Sequence, residues 1–318
     1  MKKIFIGISL TVIFILCIGA FIYNKNSEKV FQESGKDNRE DGKLNFSVLG
    51  DIHENISHFD EAIKDLYEIN PKMDAMIFNG DVVDQGLKKQ YDSMKKAIND
   101  NNKILPPTII KNIGNHEFFD YEKGENTSEE SQEFINRYLE FSGEKSVYHE
   151  RWIEGYHFIS LGSEEGYTKK LGSTKAFISD NQLNWLKEKL AEKYEKDKPI
   201  FVFLHQNISS IFGWNGTDQG SKIKDILSKY PEAIIFTSHT HATLEKEKVR
   251  VNQPFTIVHT GAVNYTFVVD EKGNRQRTED AQGIYVEVDG NKVKIKGRDF
   301  KRRSWIFTEE IFKVPEKK

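Results

Sequence analysis

From Lys43 onward the chain alternates short apolar runs with longer amphipathic stretches. "LNFSVLG" (44–50), "MDAMIFN" (73–79), "TIIKNIG" (108–114), "YHFISLG" (156–162), "PIFVFLH" (199–205), "AIIFTSH" (233–239) and "FTIVHTG" (255–261) are rich in β-branched and aromatic residues. Runs this short and continuous predict buried strands. Between them, "SHFDEAIKDLYEI" (57–69) opens with Ser57 and has Asp60 three residues on, which predicts a capping box at a helix start. "SDNQLNWLKEKLAEKYE" repeats the device with Ser179 and Gln182, and 87–100, 128–141 and 221–230 have helical spacing too. Near the end, "GIYVEVDGNKVKIKG" alternates apolar and polar positions around Asp289-Gly290, a hairpin signal. The pattern predicts an α/β sheet protein with antiparallel strands late in the chain and no internal repeats.

The N-terminus breaks this rhythm. Lys2 and Lys3 precede an uncharged apolar run over residues 4–23. At about 1.5 Å rise per residue such a run spans a hydrocarbon core of about 30 Å. Residues 1–23 are therefore expected to be a transmembrane signal-anchor, with the lysines cytoplasmic and everything after them exported. A cleaved signal peptide is the alternative, since Ile18-Gly19-Ala20 offers small residues for cleavage. Cys17 is the only cysteine, and Leu16 before it argues against lipid modification, so the exported part has no disulfide or thiol chemistry. Residues 24–42 are polar and mixed in charge, a flexible linker, and 43–318 form the remaining domain. The expected location is the cell membrane, single-pass, with the domain extracytoplasmic, or secreted if the segment is cleaved.

Composition narrows the possibilities little. A hydrophobic content of 37% supports a sizeable core, and a net charge of −3 gives no electrostatic footprint for nucleic acid.

The chemistry collects where the apolar runs end. Asp51 and His53 follow the first, Asp81 the second, Asn115-His116 the third, His205 the fifth, and His239 with His241 the sixth. Sites of open α/β sheets lie at the carboxyl ends of strands, so residues scattered in sequence converge on one rim. Each motif alone is weak; oxygen and imidazole donors at five strand ends together point to a metal centre.

The ordered set D-x-H, G-D, G-N-H-E, H and H-x-H resembles the calcineurin-like metallophosphoesterases, over Leu44 to about Gly261. The resemblance implies a four-layer αββα sandwich, two mixed β-sheets flanked by helices. It implies two metal ions, one held by Asp51, His53 and His241, the other by Asn115, His205 and His239, with Asp81 bridging. This oxygen and nitrogen set suits manganese, iron, zinc or nickel without choosing among them. The implied reaction is metal-dependent hydrolysis of a phosphoester, with His116 as the acid that protonates the leaving oxygen. Glu117 is expected either to support His116 or to be a solvated loop acid, and Gly114 to allow a sharp turn that presents both Asn115 and His116.

Departures from neighbouring branches shape the substrate expectation. Gln85 and Ile113 stand where serine/threonine phosphatases of the superfamily carry arginines that clamp a phosphate dianion, and Asp84 stands where purple acid phosphatases carry a tyrosine. Ser238 replaces the glycine of the usual G-H-x-H. A phosphodiester is favoured over a monoester, and a small-molecule, lipid or cell-wall phosphoester is the expected partner. The loops after His116 and His205, the second carrying Phe212 and Trp214, and the segment "LGSEEGYTKKLGSTKAF" (161–177) are candidate walls. His58 is expected to be solvated, His149 and His157 to be packing or surface residues, and His259 to lie near the rim. A catalytically weak surface-anchored binding protein and an extracellular nuclease are the rival readings.

Overall fold

The computed structural model describes residues 43–209, 216–246, 249–251, 254–270 and 272–312. The expected membrane segment, the polar linker, and Phe212 and Trp214 lie outside the described residues. Among the described residues no helix is long and apolar enough to cross a membrane.

Two six-stranded mixed sheets form the framework. In the first, β1 (Lys43–Leu49), β2 (Ala75–Asn79) and β3 (Thr108–Asn112) run parallel. β12 (Gln282–Asp289), β13 (Lys292–Asp299) and β14 (Ser304–Phe312) extend it antiparallel from β1. In the second, β5 (Tyr156–Ser160), β6 (Ile200–Phe203), β7 (Ala233–Thr237) and β9 (Thr256–His259) run parallel. Its antiparallel edges are β4 (His149–Ile153) and β8 (Val249–Arg250). β10 (Thr266–Val269) and β11 (Arg275–Thr278) make a separate two-stranded ribbon. The hairpin expected at Asp289-Gly290 is present: Asp289 pairs with Lys292, and Gly290 takes the left-handed φ of 60° that the tight loop requires.

The continuous apolar runs are explained by burial on both faces of each sheet. Ala75 and Ile77 of β2 join Phe201, Phe203, Ile234 and Phe236 in a core between the sheets. Met76 and Phe78 face the other way, into a core with α1 (Ile56–Ile69), α2 (Lys88–Asp100) and α3 (Ser128–Ser142). Val202 and Ile235 point from the second sheet into α4 (Asp180–Ala191) and α5 (Gly220–Leu227). Alternation therefore sorts side chains between two hydrophobic layers rather than between core and water. The central layer is locked by aromatic edges: Phe46 meets Phe201 at 4.8 Å and Phe158 at 5.1 Å between ring centroids, both edge-on.

Helix starts depart from the simplest sequence reading. α1 begins at Ile56, and its cap is Asn55, whose side chain accepts from the His58 amide, rather than Ser57 with Asp60. Asn55 also donates to Asn264, so a tertiary contact chose the cap. At α4, Ser179 accepts from the Gln182 amide as expected, but Glu164 rather than Gln182 receives the Ser179 amide. The full capping box belongs to Thr127 and Glu130 on α3.

One buried ion pair ties α1 to the antiparallel strands. Arg298 donates to both oxygens of Asp65, Nε at 2.7 Å and a terminal nitrogen at 2.8 Å, with both side chains buried. Arg303 adds a third contact to Asp65 at 3.0 Å. Removing one partner strands a buried charge, so Arg298→Met is expected to lose about 3 kcal/mol of stability. The urea unfolding midpoint measures it; an unchanged midpoint would show that Arg303 replaces the pair.

Candidate metal centre

The candidate residues converge as the strand ends predict. Asp51, His53 and His241 bring donor atoms within 4.8 Å of one another, and so do Asp81, His205 and His239. A third group, His53, Asp81 and His116, overlaps both. Asp81 links the two sets: its Oδ2 lies 3.0 Å from His205 Nε2 within its own set and 3.8 Å from His53 Nε2 of the other. Asn115 shares with Asp81, His116, His239 and His241 the wall of a cavity of about 300 Å³.

The local backbone is strained toward this arrangement. Asp51, His53, Asp81, His239 and His241 all have left-handed φ, from 50° to 71°. Each such residue costs about 1 kcal/mol or more, and strain of this kind gathers at functional sites. Glu117, fully buried, fastens two of the loops: its carboxylate accepts the amides of Asp81 (3.0 Å), Val82 (2.8 Å) and Gly114 (2.6 Å). It is thus neither a solvated acid nor a partner of the His116 ring. Gly114 does not turn with positive φ; its place is dictated by space, since a Cβ there would lie 2.2 Å from Asp81 Oδ1. Ser238 is likewise built in. Its hydroxyl accepts from Asn79 Nδ2 at 2.8 Å and lies 2.6 Å from Thr260 Oγ1, in space that exists because Gly50 has no side chain.

Ring orientation follows from hydrogen bonds made outside the centre. His205 Nδ1 donates to the Asn79 carbonyl (2.7 Å), and His241 Nδ1 to the Tyr265 carbonyl (2.9 Å). His53 Nδ1 donates to the Asp84 carboxylate (3.2 Å). In each case Nε2 is left facing inward, the arrangement by which outer partners fix metal-binding imidazoles. His53 and His241 then point their Nε2 atoms at each other across 3.1 Å. Two lone pairs at that distance repel unless a cation lies against both.

Charge is balanced in the same sense. Burial alone would raise Asp51, but His241 and His205 hold its carboxyl at about 2. Asp81 is also opposed by burial and held well below the usual range, chiefly by His205 and His116. Burial lowers His53, and burial with His205 beside it lowers His239 to about 3, so both stay neutral. Burial would lower His205 too, but Asp81 and Asp51 raise it to about 9. Its proton occupies the place a cation would take, and metal binding would displace it.

His116 stands apart. Its amide donates to Asp81 Oδ1 (2.8 Å) and its Nδ1 donates to the Asp84 carbonyl (2.9 Å). Burial opposes the charged form, yet Asp81 and Asp84 raise it to about 9. Sequence reasoning missed Asp84, which it treated only as an absent tyrosine. Its carboxylate in fact links His53, Tyr121 Oη (3.1 Å) and the His116 ring (3.4 Å). Tyr265 was missed too: it stacks on His241 at 4.3 Å and comes from a region with no motif. His58, expected to be solvated, is half-buried and its ring bonds the carbonyls of Val263 and Asn264. His259 lies behind the histidine loop, 3.3 Å from Thr240 Oγ1, and His149 and His157 are buried on β4 and β5. The expected third wall is present, through Tyr167, Ser173 and Thr174.

The residues fit a bound cation. Asp51 Oδ1 and Asn115 Oδ1 are buried with no hydrogen-bond partner among the described residues, and each belongs to the expected ligand set. Comparison with known proteins agrees. A probable glycerophosphodiester phosphodiesterase (GpdQ) of Arcobacter nitrofigilis is 24% identical over 225 residues, 67% of this chain and 71% of that one. The fold matches GAP50, described as the anchor in the inner membrane complex of Plasmodium, with a TM-score of 0.58 at 15% identity, covering 87% of this chain and 90% of that one. The family model for calcineurin-like phosphoesterases matches residues 44–243, so the chain belongs to that family and is a metal-dependent phosphoester hydrolase.

Proposed function

We propose that the protein is a dinuclear phosphodiesterase held at the membrane by its N-terminal segment, with the hydrolase domain outside the cytoplasm. The observation that carries the dinuclear reading is the pair of three-residue donor groups linked through Asp81, which belongs to one and lies 3.8 Å from His53 of the other. Asp51, His53 and His241 would hold one cation and Asn115, His205 and His239 the other, with Asp81 available to both. Bound there, the cations supply Lewis acidity toward water and phosphate oxygens. Without metal, Asp81 and Asp84 hold His116 protonated at neutral pH, and its ring lines the cavity where it can give a proton to the departing oxygen. Glu117 holds the Asp81 and Gly114 backbones, and so the spacing between the two strand ends.

The preference for a diester rests on charge. Among the described residues no lysine or arginine lines the cavity, and Gln85 and Ile113 stand where the phosphoprotein phosphatases carry their arginine clamp. A diester carries less charge than a monoester and needs less compensation. The likeness to a probable glycerophosphodiester phosphodiesterase supports the same choice.

Chelation is expected to abolish hydrolysis of bis-p-nitrophenyl phosphate, and Mn²⁺ to restore it. Asp81→Asn loses both turnover and metal content. His116→Ala keeps its metal but slows diesters with poor leaving groups by about 10²- to 10⁴-fold. Undiminished turnover of such a diester by His116→Ala would remove its role. In metal-free protein, NMR titration should find His116 near 9; Asp84→Asn removes a negative neighbour, so the midpoint should fall. Cell fractionation with N-terminal sequencing tests the anchor: intact chain in the membrane fraction is expected, and a soluble chain starting after Ala20 would show a cleaved signal.

A further inference from the structure

We propose that Tyr121 and Gln85 form a brace that holds the Asp84 carboxylate against the His116 ring, which makes them positioning residues for the proton donor. The proposal rests on the phosphodiesterase reading above, with His116 as its acid, and names two side chains that keep that acid aimed.

Asp84 needs such help. Its side chain is 38% exposed, and one of its oxygens, Oδ1, serves three neighbours. His53 Nδ1 donates to it at 3.2 Å, the Tyr121 hydroxyl donates at 3.1 Å, and His116 Nδ1 lies 3.4 Å away. His116 Nδ1 spends its proton on the Asp84 carbonyl at 2.9 Å, so the carboxylate acts on that ring through charge and proximity. With His53 alone, a part-exposed carboxylate is free to turn away from His116 and into water. Tyr121 supplies the contact that prevents this, from the wall of the cavity.

Packing does not explain the position of Tyr121, which is 57% exposed. Hydrogen bonds at its two ends do. Its amide donates to Gln85 Oε1 at 2.9 Å, and its hydroxyl donates to Asp84. The Gly86 amide donates to the Phe119 carbonyl at 3.0 Å, so three bonds zip the loop after Asp81 to the loop after His116. Behind the zip, Gln90 of α2 accepts the amides of Asp84 (2.9 Å) and Gln85 (2.7 Å) on one oxygen. A helix therefore fixes the backbone of one loop, Gln85 passes that order to Tyr121, and Tyr121 returns it to the Asp84 side chain.

The identity of residue 85 matters to this chain of contacts. Arginine, which the serine/threonine phosphatases carry there, has five donors and no acceptor, so it cannot take the Tyr121 amide. Glutamine can. The exchange that removes a phosphate clamp thus supplies an anchor for the brace.

With Nδ1 committed to Asp84, Nε2 is the nitrogen left for the departing oxygen. A ring released from Asp84 swings, and its proton meets the breaking bond between phosphorus and oxygen less often. The loss is greatest where the leaving oxygen most needs a proton.

Kinetics on the metal-loaded enzyme compare methyl p-nitrophenyl phosphate, whose leaving group departs without a proton, with methyl phenyl phosphate. The kcat ratio of the first to the second should rise about tenfold in Tyr121→Phe and in Gln85→Met, a fraction of the about 10²- to 10⁴-fold that a general acid contributes. Gln85→Glu keeps an acceptor for the Tyr121 amide and should hold the wild-type ratio; a ratio like that of Gln85→Met would remove Gln85 from the brace. A merely structural role would slow both esters alike. A ratio unmoved in Tyr121→Phe and Gln85→Met, while His116→Ala raises it, would therefore overturn the brace and leave the acid standing. An unmoved ratio in His116→Ala would instead sink the acid reading, and the hold on the ring is then decided without turnover. NMR of metal-free protein with isotope-labelled histidine follows exchange of the His116 Nδ1 proton with water, which should be about tenfold faster in Tyr121→Phe. Equal exchange in variant and wild type would overturn the brace whatever the kinetics.

Discussion

The structure depends on keeping one carboxylate, Asp81, ionised and fully enclosed while it faces imidazoles on two sides. A buried charge of this kind is costly unless compensated. Much of the surrounding architecture reads as compensation. His205 leans toward Asp81 with a proton, and the backbone of His116 donates to it. Its own amide is held by Glu117, a second buried carboxyl raised to about 7 by burial and then by Asp81. Two acids this close would repel, but Glu117 is satisfied by three amides from the two strand ends it joins.

The same demand explains why the rim tolerates so many unfavourable backbone angles. Left-handed residues appear at Asp51, His53, Asp81, His239 and His241, none of them glycine. Glycine is used instead where matter must be absent: Gly50 under Ser238, Gly114 against Asp81. The loops are thus shaped by what their side chains must reach, and small residues clear the way for them.

This division also explains what the sequence could disclose. The strands of the parallel regions were legible because both faces are buried, which leaves uninterrupted apolar runs. The donors were legible because each sits just past such a run. The capping of α1 was not, because Asn55 is selected by Asn264, more than 200 residues away. Asp84 was not, because its importance lies in touching His53, Tyr121 and His116 at once, a fact of geometry rather than spacing. Of the aromatic side chains around the cavity, Phe119, Tyr121 and Tyr167 lie in segments that the sequence marked as candidate walls, whereas Tyr265 and Phe267 carry no motif and escaped notice. The serine at 238 looked like a minor exchange, yet it anchors a hydrogen-bonded link between Asn79 on the first sheet and Thr260 beyond the second.

Asp51, His53, Asp81 and Asn115 leave the first sheet, and His205, His239 and His241 leave the second. Each proposed ligand trio therefore draws on both layers, and an ion held by it acts as a rivet through the sandwich. Such a rivet favours the assembled state in proportion to its occupancy. Scarcity of the ion would then loosen the seam between the layers as well as silence the chemistry, making mechanical integrity and catalytic competence two readings of one supply.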